Sequence, residues 1–393
     1  MIRSARLLAA FSLPALMLAS CANAETGESA QTSVEVVGTT GPATPFKSDE
    51  VATFEEPWAI AFAPGTQMLF VTEKSGTLKV LDVASGKVGT VAGAPAVDYG
   101  GQGGLGDVAF LSAEAGASLN GRTIYLSWAE AGPDDTRGAA VGKGTLACTG
   151  VEACAVEGLS VIWRQTPKVT GRGHYSHRIV FSPDGKYLFV ASGERQKMTP
   201  AQDTGTTLGK IVRLNLDGTP AAGNPMADKG GVTAEIWSYG HRNILGMDWD
   251  AAGRLWEVEH GPAGGDELNL VKAGANYGWP VRSNGEHYNG DPIPDHTPDD
   301  GFAQPAAHWT PVIAPGDMLI YSGDMFAAWK GHALMAGLGS KALIDVALDG
   351  ETAREAGRYG FEKRLRALAQ GPDGAIWVAE DGKGARLIKL TAR

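Results

Sequence analysis

The chain has 393 residues, including 54 Gly and 21 Pro, so about 19% of it punctuates the backbone against roughly 12% in average usage. Hydrophobic residues at 43% and charged residues at 20% permit a large core, and the glycines show no three-residue period, which excludes disordered and collagen-like chains. A formal charge of -10, from 34 basic and 44 acidic residues, repels phosphate backbones and anionic lipid and argues against a nucleic-acid partner. Any anionic ligand therefore needs a local basic pocket.

Arg3 and Arg6 precede an apolar stretch at 7–19 that is too short to span a bilayer and reads as an export signal within residues 1–24. Two processing sites compete. Leu18-Ala19-Ser20-Cys21 resembles a lipobox, which would put cleavage before Cys21 and anchor that residue to the outer membrane by lipid; Ala22-Asn23-Ala24 offers ordinary cleavage after Ala24. Either route makes the periplasm the expected location. Residues 25–50, rich in Thr, Ser, Gly, Ala and Glu, read as a tether with one short strand at 32–37. Cys148 and Cys154 in LACTGVEACA have hairpin-like spacing, and in an oxidising compartment a local disulfide is expected, two free buried thiols being the alternative.

From residue 51 one theme recurs: an alternating apolar run, a turn, and a second apolar run. It appears as WAIAFAPGTQMLFVTE (58–73), GDVAFLS with TIYLSWAE (106–130), RIVFSPDGKYLFVASGE (178–194), LGMDWDAAGRLWEVEHG (245–261), MLIYSGDMFAAWKGHALMAG (318–337) and RALAQGPDGAIWVAED (366–381). Third strands follow several copies, as in GTLKVLD and GKIVRLNLDG. About four strands per unit and six units predict an all-β, six-bladed β-propeller over 51–393 with four-stranded antiparallel blades. A strand near 32–56 is expected to complete the last blade. Long loops are expected at 131–172 and 275–315.

Several motifs fall at strand entries. Gly101-Gln102-Gly103-Gly104-Leu105-Gly106 satisfies G-x-G-x-x-G, but it leads into a strand and lacks the helix of a dinucleotide site; a glycine turn bringing Gln102 close to a ligand fits better. His174, between glycines and a strand, suits a general base. Tyr239-Gly240-His241-Arg242-Asn243 offers a guanidinium and an amide. The loop Glu259-His260-Gly261-Pro262, with Asp266 and Glu267 near, offers carbonyl and carboxylate oxygens for a hard cation. Arg364 and Arg366 share one side of a strand and could form the basic pocket. His308 and Trp309 could supply a stacking wall.

In this order the residues resemble the soluble quinoprotein sugar dehydrogenases, the glucose/sorbosone and aldose sugar dehydrogenases. The resemblance covers about 51–393 through EEPWAIAF, GGQGGLGDVAF, the His174 segment, YGHRNILG, EHGPAGGDELNLV, NYGWP, IAPGDM and RLRALAQGPDG. It implies a propeller binding pyrroloquinoline quinone (PQQ) and Ca2+, an aldose substrate oxidised at its anomeric hydroxyl to a lactone, and a quinone or periplasmic electron acceptor. It implies His174 as base and Arg242 and Asn243 at the quinone side of the cofactor, with Gln102 a further contact. Gly261 and Pro262 would ligate a catalytic Ca2+ through carbonyls, Arg364 and Arg366 would face the cofactor carboxylates, and Glu267 and Tyr277 would hold a second, structural Ca2+.

Three features depart from the family pattern. A lysine often found near the cofactor is replaced in Gly337-Leu338-Gly339, with Lys341 displaced by two; the acid that usually follows the second arginine is Ala367; and Cys21 with the 148–154 cysteine pair is not a general family feature. Two other classes compete. A calcium-dependent lactonase would need several carboxylates in the funnel, and a non-catalytic sugar- or protein-binding propeller would not need His174.

Overall fold

The computed structural model describes residues 44–393. The export signal, both processing sites and the strand expected at 32–37 lie outside them. Regular structure is almost entirely antiparallel strand, because turn-forming residues interrupt the apolar alternation every few residues. The helices are short 3-10 turns.

Among the described residues there are four four-stranded sheets, an eight-stranded sheet and a two-stranded ribbon. The eight-stranded sheet is two meanders. The first runs through Pro57–Phe62, Met68–Glu73, Thr77–Asp82 and Lys87–Ala92; the second through Leu105–Ala109, Thr123–Ala131, Arg137–Gly150 and Ala153–Arg164. A short parallel pairing, Val91 with Cys154 and Ala92 with Ala155, joins their last strands. Further meanders start at Ser176–Phe181, Ile244–Trp249, Pro315–Ile320 and Leu365–Gln370. The first strands of successive meanders pack side by side, and Leu365–Gln370 returns to Pro57–Phe62, closing the cycle.

The final sheet takes its fourth strand from the other end of the chain: Phe46–Phe54 pairs with Ala385–Ala392. This is the closing strand expected from the sequence, although it takes in residues 46–50, which composition assigned to the tether. Phe46 explains the difference. It is buried against Trp329, Tyr359 and Phe361 of the neighbouring meander, anchoring a polar stretch by one aromatic. Cores of alternate apolar residues fill the spaces between adjacent sheets.

The segment 131–172 is not a long loop. Most of it is the hairpin of Arg137–Gly150 and Ala153–Arg164, paired with Thr123–Ala131. Its strands are rich in glycine and small residues, which dilute the alternation on which the expectation rested. Cys148 and Cys154 form the expected disulfide across this hairpin.

Every first strand carries a register shift near its start: between Pro57 and Ala59, Leu105 and Val108, Ser176 and Ile179, Ile244 and Gly246, Pro315 and Asp317, and Leu365 and Ala367. A bulge re-aims side chains and ends regular pairing, so all these strand entries are shaped to present residues rather than extend a ladder.

Candidate active site

Arg178 ties the strand entries together. Its guanidinium lies 4.2 Å over the Trp58 ring, pairs with Asp107 at 3.3 Å and Asp317 at 3.2 Å, and donates to the carbonyls of Leu245 and Gly316. Asp317 in turn accepts the N–H of Leu368. One buried cation thus touches the first strand of four other meanders and reaches the remaining one through Asp317, so the ring has a fixed centre.

A cavity of about 280 Å³ opens among these entries, lined by Gln102, Asn243, Arg364 and Arg366 and also by Trp58, Lys74, Tyr175, Ser176, His177, His260, Leu338 and Asp381. A second, smaller recess is bordered by Arg242, Glu259, Gly261, Glu267 and Tyr277, and His260 lines both. The structure therefore gathers Gln102, Asn243, Arg364 and Arg366 around one space and Arg242, Gly261, Glu267 and Tyr277 around the other, while His174 lines neither and approaches the first through the neighbouring Tyr175 and Ser176. Pro262 is buried next to Gly261.

His174 is held by three hydrogen bonds. Its N–H donates to Gln102 Oε1 at 2.7 Å, its carbonyl accepts the N–H of Arg195, and Nδ1 bonds to Glu194 Oε1 at 2.5 Å. The Arg195 guanidinium lies 3.7 Å over Tyr175 and donates to the carbonyls of Gly171 and Gly173, which flank the His174 turn. His174, Ser176 and His177 all have positive φ, at 48°, 56° and 53°. Strain of this kind persists only where surrounding contacts over-determine it. Gly193 permits the approach: a Cβ there would stand 2.1 Å from the His174 carbonyl oxygen. Since the Glu194 carboxylate can only accept, Nδ1 carries the proton and Nε2 is left as the basic nitrogen. Burial lowers the His174 pKa and the charge of Arg242 lowers it further, while Glu194 opposes them; the imidazole is neutral near pH 7.

Glu259 plays the corresponding part for the next strand entry. Its Oε2 accepts the N–H groups of Arg242 and Asn243, and its Oε1 faces His241 Nδ1 at 3.2 Å. Arg242 donates to the His260 carbonyl and to the Tyr288 hydroxyl, and its guanidinium lies 5.1 Å from the Trp279 ring. Asn243 Oδ1 accepts from Ser176, linking this entry to the His174 turn. In the cavity lining Arg364 and Arg366 straddle Asp381, each donating Nε at 2.9 Å. Burial works against the Asp381 carboxylate, but Arg366 and Arg364 hold its pKa below the usual range.

The loop expected to offer carbonyl oxygens is rigidly held. Gly261 donates to Asp266 Oδ1 and Ala314 to Asp266 Oδ2. A Cβ on Gly261 would stand 2.2 Å from the Gly264 carbonyl oxygen, so only glycine fits. Behind it Glu257, Glu259 and Glu267 are buried together with His241 and Asn269. Burial and then Glu259 raise the Glu257 pKa to about 8 and push Glu267 well above the usual range; despite burial, the carboxylates raise His241 to about 9. Glu257 Oε2 and Asn269 Oδ1 are buried without hydrogen-bond partners. An oxygen-rich cluster with unfilled acceptors, whose crowded carboxylates raise one another's pKa for want of positive charge, fits a hard divalent cation. The Tyr277 hydroxyl is committed to Leu270 and Lys272, so a ligand from Tyr277 would be its backbone carbonyl. The anionic, planar PQQ also fits a cavity edged by Lys74, Arg364 and Arg366.

Sequence reading missed Glu194, Glu257, Arg178 and Lys74 as parts of this arrangement, and it placed Glu259 and His260 in the cation loop without seeing that Glu259 aligns Arg242 and Asn243 or that His260 lines the cavity. The available signal was an acid at or just beyond the end of the second strand: Glu194 comes two residues after Tyr187–Ser192, and Glu259 closes Leu255–Glu259. Trp309 is not a stacking wall. It lies in the last strand of its meander, buried, with Nε1 donating to Glu355.

A ring of antiparallel meanders with a polar, cation-edged central cavity and a carboxylate-supported histidine defines a propeller of the enzyme type. Residues 54–389 match the family model for glucose / sorbosone dehydrogenase, and the chain belongs to that family. It is 37% identical over 347 residues to the aldose sugar dehydrogenase YliI of Escherichia coli (strain K12), covering 86% of this chain and 91% of that protein. The apo-form crystal structure of the soluble aldose sugar dehydrogenase from Escherichia coli superposes with a TM-score of 0.81 at 34% identity, covering 88% of this chain and all of that one. The PQQ-bound aldose sugar dehydrogenase from Streptomyces coelicolor gives 0.70 at 27% identity, covering 92% and 98%.

Proposed function

We propose that the protein is a PQQ- and Ca2+-dependent dehydrogenase that oxidises the anomeric hydroxyl of aldose sugars to the lactone. The observation that carries this reading is the His174–Glu194 pair in the turn whose next residues, Tyr175 and Ser176, line a cavity that Arg364 and Arg366 also line. A fixed acceptor nitrogen and a wall of guanidinium groups are what a sugar hydroxyl and an anionic cofactor require. Family membership and the PQQ-bound relative support the cofactor.

In this reading His174 Nε2 takes the proton of the substrate C1 hydroxyl, and the Glu194 carboxylate stabilises the imidazolium that forms. Gln102 keeps the imidazole at its post by holding the His174 N–H. Arg242 and Asn243, aligned by Glu259, present donors where negative charge develops. Arg364 and Arg366 would hold cofactor carboxylates, Gly261 and Pro262 the catalytic Ca2+ through carbonyls, and Glu267 with the Tyr277 carbonyl the structural ion. Bound PQQ supplies two-electron acceptance of the hydride from C1, and bound Ca2+ polarises the accepting carbonyl.

Six blades is the count we propose, supported by the closed cycle of first strands and by treating the eight-stranded sheet as two blades. We also propose export to the periplasm, processing before Cys21 or after Ala24, and a quinone or periplasmic carrier as electron acceptor. The Cys148–Cys154 disulfide agrees with an oxidising compartment.

The test is to purify the mature chain without cofactor, add PQQ and Ca2+, and follow dye reduction with a panel of aldoses. Sugar-dependent turnover that needs both additions and disappears in His174→Gln is the expected result. PQQ binding without turnover for any aldose would refute the assigned chemistry.

A further inference from the structure

Lys74 follows the strand Met68–Glu73 and lines the cavity together with Arg364 and Arg366, but from a different meander. Two carboxylates, Glu56 and Asp381, line the cavity with it. Asp381 is bridged by both arginines, and Glu56 Oε2 accepts the Tyr99 hydroxyl. Lys74 Nζ has a different kind of partner, the neutral carbonyl of Gly101 at 3.0 Å, with the Tyr99 ring centroid 6.0 Å away. Among the described residues no carboxylate pairs with it. The cavity edge therefore carries an ammonium with no carboxylate at ion-pair distance among the described residues, in a chain with a formal charge of -10. Lys341, the lysine closest in sequence to the position where one is lacking, does not line the cavity; Leu338 does.

We infer that Lys74 is a cofactor-binding residue, its ammonium meeting a carboxylate of PQQ and supplying from the first meander the positive charge absent from the Gly337-Leu338-Gly339 turn. This rests on the reading of the cavity as a PQQ site. A carboxylate arriving there gains an unshared ammonium and displaces only a carbonyl contact, whereas at Arg364 and Arg366 it shares the guanidinium groups with Asp381.

The test is a binding isotherm on the full mature chain without turnover: PQQ is titrated in the presence of Ca2+ while tryptophan fluorescence is followed, Trp58 in the cavity wall serving as reporter. Lys74→Met is expected to weaken PQQ binding about tenfold, Lys74→Arg to restore most of it, and Lys341→Met to leave the isotherm unchanged. The gap between wild type and Lys74→Met should shrink as salt rises, because the contact is electrostatic and partly solvated. Thermal unfolding of each variant shows whether the fold is kept; should Lys74→Met fail to fold, Lys74→Gln and the salt dependence of Lys74→Arg carry the test. An unchanged isotherm in folded Lys74→Met, or a loss in Lys341→Met instead, overturns the assignment while leaving the PQQ site standing. No PQQ binding by the wild-type chain overturns both.

Discussion

Glu194→Gln probes the central pair most directly. The carboxylate accepts from His174 Nδ1 at 2.5 Å with both groups buried, so the substitution removes a charge-assisted hydrogen bond and keeps the side-chain volume. Such bonds contribute roughly 1.5–3 kcal/mol, and if that stabilisation is felt mainly by the imidazolium formed in the transition state, kcat falls on the order of 10- to 150-fold. The pH profile should move as well. Burial already depresses the His174 pKa, Arg242 depresses it further, and Glu194 is what raises it. Without that charge the pKa falls again, so the acid limb of kcat/KM shifts to lower pH even as the plateau drops. The assay is dye reduction from pH 4 to 9 with saturating PQQ and Ca2+, alongside the melting temperature. Glu194 also accepts the Met198 N–H, so some loss of stability is expected. A plateau rate within a factor of two of wild type, or an acid limb that stays or moves upward, would refute the role given to this pair.

Arg364→Ala should weaken PQQ binding by roughly 1.5–3 kcal/mol, read by fluorescence titration, because one guanidinium contact is lost while Arg366 keeps its bond to Asp381. Added Ca2+ should raise the melting temperature of the apo protein and EDTA lower it, by an amount equivalent to about 2.7 kcal/mol at one hundred times the dissociation constant; Glu267→Gln should abolish most of that shift. Replacing both Cys148 and Cys154 with Ser should cost about 2 kcal/mol in denaturant unfolding, since the disulfide closes a loop of sequence separation 6, and should leave PQQ binding alone because the hairpin stands apart from the cavity lining. A loss of binding in that double variant would contradict this separation.

The strands were legible because their signal is local. RIVFSPDGKYLFVASGE yields Ser176–Phe181 and Tyr187–Ser192, and EKRLRALAQG, drawable as a helix, is the strand Leu365–Gln370 since a Pro-Asp-Gly turn follows it. Of the hairpin at 137–164 only the tip was legible, through the spacing of Cys148 and Cys154; glycines and alanines hold the rest by backbone pairing and neighbouring sheets rather than by its own pattern. The same holds for Phe46–Phe54, whose charged and polar residues become strand through a partner more than three hundred residues away.

Motif order along the chain was enough to bring forward His174, Arg242, Asn243, Arg364 and Arg366, because each sits in a short run whose composition is unusual for a strand entry. The partners that make those residues work are scattered. Glu194 and Glu259 look like ordinary acids at the ends of second strands, and Lys74 like a surface lysine in a turn. Their meaning comes from closure of the ring, which sets Glu194 against Nδ1 of His174, Glu259 beneath two N–H groups, and Lys74 at a cavity edge without a counter-charge. Periodicity and turn chemistry act over a few residues and are written in the linear order. Burial, and the pairing of charges it enforces, depends on which meanders meet, and that exists only once the chain has closed on itself.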